Sequence, residues 1–89
     1  MREFVRTAKF KRQFKALLKK HYNMEELQDI LELLADDAYL PGRHRDHALS
    51  GDWQGFRECH IRPDWLLIYR RTQTEIILVA TGTHDDLFE

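Results

Sequence analysis

The chain has one cysteine and no long apolar run, and each shortage excludes certain classes of protein. Cys59 alone excludes an internal disulfide framework and any zinc site built from several cysteines. No segment approaches the roughly 20 apolar residues that span a bilayer, and the first residues do not resemble a signal peptide. We therefore expect a soluble cytoplasmic protein with no membrane partner.

The composition is that of a small folded protein. Hydrophobic residues make up 43% of the 89 positions and aromatic residues 11%, which suffices for one core and excludes a disordered tail. A chain of this length is expected to form a single domain over residues 1–89.

A net charge of −1 conceals two segments of opposite charge. Residues 1–23 carry eight basic side chains against one acidic side chain, a local charge of +7, and residues 24–37 carry six acidic side chains and no basic one. A basic helix face attracts phosphate or an acidic protein partner. The two segments could also attract each other as solvated helix faces, and the sequence leaves both possibilities open.

Apolar spacing predicts a short strand, two helices and then three strands. Thr7 is placed to cap the first helix and Asn23 to cap the second. The order β-α-α-β-β-β predicts an α+β fold, a mainly antiparallel four-stranded sheet with the N-terminal helical hairpin on one face. The predicted elements are a strand over 2–6, helices over about 7–20 and 23–36, a polar loop over 41–53, and strands over 54–61, 65–69 and 76–80.

Alternation along the strand over 54–61 separates its side chains onto two faces. Glu58 and His60 share one face, and Arg57 and Cys59 share the other. Asp64 follows His60 across a tight turn, where its carboxylate could accept a hydrogen bond from the imidazole and fix the tautomer. Cys59 is interpreted as a small buried hydrophobic side chain rather than a nucleophile.

Four of the five histidines lie between residues 44 and 84, and three of them stand beside arginines, carboxylates and aromatic residues. An imidazole both takes and gives a proton near neutral pH. Three such groups in one small chain indicate a proton-transfer site that acts on an anion. The three residues are His47, His60 and His84.

Three sequence motifs, in this order and in a chain of this length, resemble those of the YafQ-type toxins of the RelE superfamily. These toxins are the ribosome-dependent messenger-RNA endonucleases of type II toxin–antitoxin pairs. The resemblance covers nearly the whole chain. The three motifs are Asp46-His47-x-Leu49-x-Gly51-x-Trp53-x-Gly55-x-Arg57, then His60-Ile61-x-Pro63-Asp64-Trp65-x-Leu67-Ile68-Tyr69, then Thr81-Gly82-Thr83-His84 with Leu87-Phe88.

The resemblance implies a RelE-like fold and a metal-independent mRNA interferase that cleaves messenger in the ribosomal A site and needs no cofactor. It also implies a cognate antitoxin of the DinJ/RelB type, which would neutralise the toxin in a hetero-oligomer. The active-site positions are implied to be His47, His60, Asp64, His84 and Phe88, and Glu58 stands where relatives can carry aspartate.

The chemistry of such cleavage assigns roles to these residue types. A base must take the proton of the ribose 2′-OH, an acid must protonate the departing 5′-oxygen, and a cation must stabilise the charged phosphorane. His60, oriented by Asp64, or His47 is the candidate base and His84 the candidate acid, although the two labels could be exchanged. Arg57 is a candidate phosphate ligand only if local geometry turns it toward the site.

Other interpretations of the same residues are weaker. His44-x-x-His47 has the spacing of a metal pair, but it lies in a loop without the accompanying cysteines or a His-Glu-x-x-His helix, so no metal is predicted. His21 and His44 are expected on the surface, and Trp53 and Trp65 in packing. The competing function is a non-catalytic RelE-fold interaction module that binds antitoxin or nucleic acid, but such a binder needs arginine and lysine more than histidine.

Overall fold

The computed structural model describes residues 2–88, so Met1 and Glu89, the two ends of the predicted domain, lie outside the described part. The helices and strands in chain order are β1 (Glu3–Arg6), α1 (Ala8–Lys19), α2 (Met24–Ala35), β2 (His47–Ala48), β3 (Arg57–Arg62), β4 (Trp65–Arg71), β5 (Glu75–Gly82) and α3 (His84–Phe88), with 3₁₀ turns at Gly42–His44 and Gly51–Trp53.

The strands form one sheet in the order β1-β5-β4-β3-β2. β1 pairs with β5 in parallel, and all other pairs are antiparallel. The predicted α+β class and helical hairpin are confirmed, but the sheet has five strands rather than four. The additional strand, β2, is two residues long and is defined by its pairing with β3 (His47 opposite Glu58). Two residues are too few for an alternation of polar and apolar side chains to predict a strand.

Both helices begin at the predicted caps. The Thr7 hydroxyl accepts a hydrogen bond from the Phe10 N–H, and the Asn23 side chain accepts one from the Glu25 N–H. The apolar sides of α1 and α2 pack on the same face of the sheet, where each fully buried leucine-sized side chain contributes about 1.5–3 kcal/mol. The buried residues of this core are Phe10, Leu17, Leu27, Ile30, Leu34, Cys59, Ile61, Trp65, Leu67, Tyr69, Ile76 and Leu78.

The opposite face of the sheet has a smaller apolar cluster and is only partly covered. Leu66, Ile68 and Ala80 are fully buried there, and Leu87 of α3 packs on them. The predicted alternation of β3 is confirmed, because Cys59 and Ile61 enter the core under the helices while Glu58 and His60 point away from it. We call this partly covered side the open face; polar groups are held there by a rigid sheet.

Within residues 2–88 no helix is both long enough and apolar enough to cross a membrane.

Candidate active site

Three histidines from three separate segments meet on the open face. His47 lies in β2, His60 in β3 and His84 at the first position of α3. The ring centroids of His47 and His60 are 6.3 Å apart, and those of His60 and His84 are 5.8 Å apart. The fold therefore brings together all three histidines that the sequence nominates.

Glu58 lies between two of these imidazoles. Its Oε1 is 3.3 Å from His60 Nε2 and 3.5 Å from His47 Nε2. Glu58 and His60 are each only 6% exposed, whereas about half of the His47 side chain (48%) remains in contact with solvent. A buried carboxylate is stable only when it is hydrogen-bonded or paired, and here the two imidazoles are its partners.

The other ring nitrogens determine how these imidazoles are oriented. His47 Nδ1 is 2.7 Å from the Arg45 carbonyl oxygen, and His60 Nδ1 is 3.3 Å from the Pro63 carbonyl oxygen. Because a carbonyl oxygen only accepts, each Nδ1 donates, and each Nε2 faces Glu58. The carboxylate therefore lies against the Nε2 atoms of both rings, where its charge can stabilise an imidazolium formed at either one.

His84 is oriented by Asp64, which corrects the expectation that Asp64 would pair with His60. Asp64 Oδ1 accepts hydrogen bonds from the His84 backbone N–H (3.0 Å) and from His84 Nδ1 (2.7 Å). These two bonds, the backbone one first, lower the pKa of the Asp64 carboxyl below its ordinary value. The turn after β3 directs Asp64 outward, where α3 docks, so His60 uses the Pro63 carbonyl instead.

A compact cap at the start of α3 holds His84 in place. The Thr83 hydroxyl accepts a hydrogen bond from the Asp86 N–H, and the Asp86 carboxylate accepts one from the Thr83 N–H. Gly82 has φ +154°, and a Cβ at this position would stand 2.8 Å from Asp86 Oδ2. The glycine is thus required both for the sharp turn and for the close approach of the cap.

The last two described residues of α3 differ in their exposure to solvent. Leu87 is buried against the apolar cluster of the open face and anchors the short helix. Phe88 remains 42% exposed, and its ring meets Trp53 edge-on with 6.0 Å between centroids. Phe88 therefore presents a half-exposed aromatic ring on the same short helix as His84.

Arg57 is not brought to this site. It lies on the helix side of the sheet, where its Nε donates to Asp46 Oδ1 at 3.3 Å, and the Tyr69 hydroxyl donates to the same oxygen at 2.7 Å. Burial and the hydrogen bond to Asp46 raise the pKa of the Tyr69 phenol, so it stays a donor. The two donors tether Asp46 and thereby hold the backbone beside His47.

His44 is a residue whose place the sequence misjudges. It was expected on the surface but is only 8% exposed, and its Nδ1 donates to the His60 carbonyl oxygen at 2.7 Å. This contact fixes the backbone of β3 at His60. A histidine in a polar loop carries no signal for such a long-range bond, so sequence reasoning could not find it.

The expectations for His21, Trp65 and Cys59 agree with the structure. His21 is exposed, and Trp65 is buried in the core. Cys59 is fully buried, and burial raises the pKa of its thiol, so it is not poised as a nucleophile. Within residues 2–88 no three histidine, cysteine or acidic side chains have a geometry suited to a metal ion.

The fold matches solved bacterial toxins over their whole length. The crystal structure of YafQ from Escherichia coli BL21(DE3) superposes with a TM-score of 0.93 at 33% identity, with both chains fully covered. The crystal structure of the E. coli DinJ–YafQ complex gives a TM-score of 0.92 at 34% identity, again with full coverage of both chains.

Sequence comparison agrees with the structural match. The curated mRNA interferase toxin YafQ of E. coli K12 is 35% identical over 88 residues, which cover 98% of this chain and 96% of the relative. The family model described as "Bacterial toxin of type II toxin-antitoxin system, YafQ" matches residues 2–89. The open-face site thus belongs to a toxin of a type II toxin–antitoxin system. Within that class, the chain is a member of the YafQ family.

Proposed function

We propose that the protein is a ribosome-dependent mRNA endonuclease of the cytoplasm, which cleaves messenger in the ribosomal A site and so inhibits translation. The observation that carries the proposal is the convergence of His47, His60 and His84 around two oriented carboxylates on the open face. The name mRNA interferase of the E. coli relative supports an endoribonuclease activity for this chain.

The reaction needs no metal in the protein's own site. A base takes the proton from the ribose 2′-OH, the 2′-oxygen attacks the adjacent phosphorus, and the bond from phosphorus to the 5′-oxygen breaks. The departing oxygen then takes a proton from an acid, and the products are a 2′,3′-cyclic phosphate and a 5′-OH. Two imidazoles 5.8 Å apart, as in His60 and His84, are close enough to act on one phosphodiester.

The orientation of each imidazole supports a particular role. His84 donates from Nδ1 to Asp64, so its Nε2 is directed at the substrate and can deliver the proton to the 5′-oxygen. The unprotonated Nε2 of His60 or His47 takes the 2′-OH proton, and the negative Glu58 carboxylate attracts the imidazolium that forms. A protonated imidazole also stabilises the phosphorane. Glu58 holds both imidazoles, and the exposed ring of Phe88 provides a surface on which a base can stack.

The alternative is a RelE-fold interaction module without catalysis. A pure binder has no need to bury a carboxylate between two imidazoles, because phosphate binding is achieved with arginine and lysine on the surface. The buried contact of Glu58 with His47 and His60 therefore favours the enzyme.

Cleavage is expected to require the ribosome and to be insensitive to prior removal of metal from the protein. A chain of 89 residues supplies acid and base but little surface to hold flexible RNA, so a partner must orient the phosphate for in-line attack. Protein treated with a chelator and then desalted should cut messenger on programmed ribosomes at the untreated rate. Fast cutting of naked messenger would disprove ribosome dependence, and a rate restored only by adding a transition metal would disprove metal independence.

We further propose that a cognate DinJ-like antitoxin neutralises the protein in a hetero-oligomer, as the DinJ–YafQ complex of E. coli suggests. Side chains of β1 and α1 surround an apolar groove with a basic rim, lined by Arg6, Phe10, Lys11, Phe14, Lys15 and Leu18. Leu18 is 46% exposed. An acidic amphipathic helix of an antitoxin fits such a groove.

Reversing the charge of the groove should weaken antitoxin binding. Lys11→Glu with Lys15→Glu should raise the Kd for the antitoxin encoded beside the toxin gene by about tenfold or more, chiefly through slower association at low salt. Lys9→Glu with Lys20→Glu changes the same charge on α1 and its C-cap outside the groove and should have a much smaller effect. Binding kinetics with the antitoxin immobilised on a surface would measure both double variants. If both weaken antitoxin binding equally, the interface lies outside the groove.

A further inference from the structure

Arg70 is the arginine that β4 directs onto the open face. Side chains alternate along β4, and Leu66 and Ile68 belong to the apolar cluster of that face. Arg70 is the next residue of this series, and its guanidinium carbon lies 5.9 Å from the centroid of the Phe56 ring. Arg70 therefore shares its face with Glu58 and His60, whereas Arg57 does not.

The charge of Arg70 is not used within the fold. The other three arginines of β3 and β4 are each paired with a carboxylate: Arg57 with Asp46, Arg62 with Glu26, and Arg71 with Asp37. In the described part of the chain no carboxylate lies within ion-pair distance of Arg70, and its side chain is exposed. An exposed guanidinium with its donors open is suited to phosphate.

Aromatic rings connect Arg70 to the tail that carries His84. Phe56 lies under Arg70 and meets Trp53 edge-on with 5.7 Å between centroids. Trp53 in turn meets Phe88, four residues after His84, at 6.0 Å. We call Phe56, Trp53 and Phe88 the aromatic strip; it leads from the helix that carries His84 to Arg70.

The spacing along the sheet fits a neighbouring nucleotide. His60 lies opposite Leu66, and Arg70 is four residues further along β4, a backbone displacement of about 13 Å that the Arg70 side chain shortens. A chain whose scissile phosphate is held by His60 and His84 thus brings its next phosphate within reach of the long Arg70 side chain. A base between the two phosphates meets the aromatic strip, and stacking on aromatic rings accepts any base.

We propose that Arg70 binds the messenger phosphate next to the scissile one, and that the aromatic strip holds the intervening nucleotide. This subsite rests on the proposed nuclease function and names the part of the substrate that the open face holds outside the histidine site. Arg70 is a binding and positioning residue; it takes no part in the proton transfers. Its loss should weaken binding of the substrate far more than it slows the chemical step.

The matched variants are Arg70→Gln and Arg71→Gln, adjacent residues whose side chains project to opposite faces. In single-turnover cleavage on programmed ribosomes, Arg70→Gln should raise the protein concentration that gives the half-maximal rate about tenfold. The maximal rate should stay within about threefold of the wild-type rate. It should also reduce the slope of log affinity against log salt by about 0.7, the contribution of one single-strand phosphate. Arg71→Gln should behave as wild type, and Arg70→Lys should recover part of the affinity.

A messenger with a neutral methylphosphonate at the phosphate on either side of the cut distinguishes messenger from ribosomal RNA. At one of the two positions, the methylphosphonate should weaken binding by the wild type as much as Arg70→Gln weakens binding of the normal messenger. The same methylphosphonate should not weaken binding by Arg70→Gln any further. If neither position matters while Arg70→Gln is impaired, the phosphate is ribosomal and the proposal is wrong. An unchanged concentration dependence and salt slope in Arg70→Gln would also overturn it.

Failure of the proposed function can be separated from failure of this subsite. Wild-type protein that does not cleave on ribosomes would refute the nuclease. Binding of the wild type and of Arg70→Gln to a short single-stranded RNA with a 2′-deoxy cleavage site, measured by fluorescence anisotropy, then still decides the subsite. Equal affinities and equal salt slopes would reject it.

Discussion

His84→Ala is expected to lower the maximal cleavage rate on ribosomes by about 10²-fold or more, with little change in thermal stability. The side chain is 53% exposed, and its ring bonds only to the exposed Asp64 carboxylate among the contacts described. The backbone bond from residue 84 to Asp64 does not need the ring and persists in the variant. The melting temperature should therefore fall by less than about 4 °C.

The loss should fall on the chemical step rather than on binding. His84 Nε2 is the atom proposed to give its proton to the 5′-oxygen, and this transfer occurs only as that bond breaks. Because hydrogen bonds from His84 lower the pKa of Asp64, the carboxylate stays charged through the neutral range and keeps the ring oriented. Asp64→Asn should therefore also slow cleavage, but less than loss of the ring.

Two further variants complete the test. His21→Asn removes an exposed histidine at a left-handed position (φ 63°), which asparagine tolerates, and should leave the rate unchanged. Phe88→Ala should reduce activity with little loss of stability, since the ring is 42% exposed. Near-normal cleavage by His84→Ala, in single-turnover assays paired with thermal melts, would show that another residue is the acid.

The parts of the fold that the sequence predicted are those determined by local periodicity. The spacing of Phe10 and Leu17 on α1, and the alternation of Glu58 with Cys59 on β3, each reflect a repeat of 3.6 or 2 residues that the final structure retains. Caps at Thr7 and Asn23 are local for the same reason, because each side chain bonds to an N–H two or three residues further on. Such contacts need no knowledge of the sheet.

The parts that escaped prediction depend on contacts between distant segments. The bond between Asp64 and His84 spans 20 residues, and that between His44 and the His60 carbonyl spans 16. The place of Arg70 depends on the register of β4 against β3 and on the aromatic side chain of Phe56 below it. The residue types in the sequence suggest which side chains transfer protons. The positions of β2 and α3 on the sheet determine which carboxylate contacts which imidazole.

Glu58→Gln is expected to reduce the maximal cleavage rate by about 10²-fold, because one carboxylate oxygen orients two imidazoles. Oε1 faces His60 Nε2 at 3.3 Å and His47 Nε2 at 3.5 Å. Each imidazole places Nδ1 on a carbonyl oxygen and Nε2 toward Glu58, so the negative carboxylate attracts the ring that gains a proton on Nε2. A neutral amide retains the shape of the side chain but loses that attraction.

Stability should separate this role from simple packing. Glu58 is 6% exposed and burying a charge is costly, and a glutamine amide can still donate to an unprotonated Nε2, so the melting temperature should be unchanged or slightly higher. Glu58→Asp keeps the charge one methylene further from the imidazoles and should retain more activity than Glu58→Gln. Glu75→Gln, which removes a carboxylate from β5 next to β1, is the control for the loss of one charge.

The ranking of these variants decides the role of the carboxylate. Activity that falls in the order wild type, Glu58→Asp, Glu58→Gln, without a parallel fall in melting temperature, indicates that the charge acts on His47 and His60. Equal activity of Glu58→Gln and wild type would show that the two imidazoles do not need the charge. In that case the proton for the 2′-OH step is taken by an imidazole that acts alone, and Glu58 contributes only to the packing of the open face.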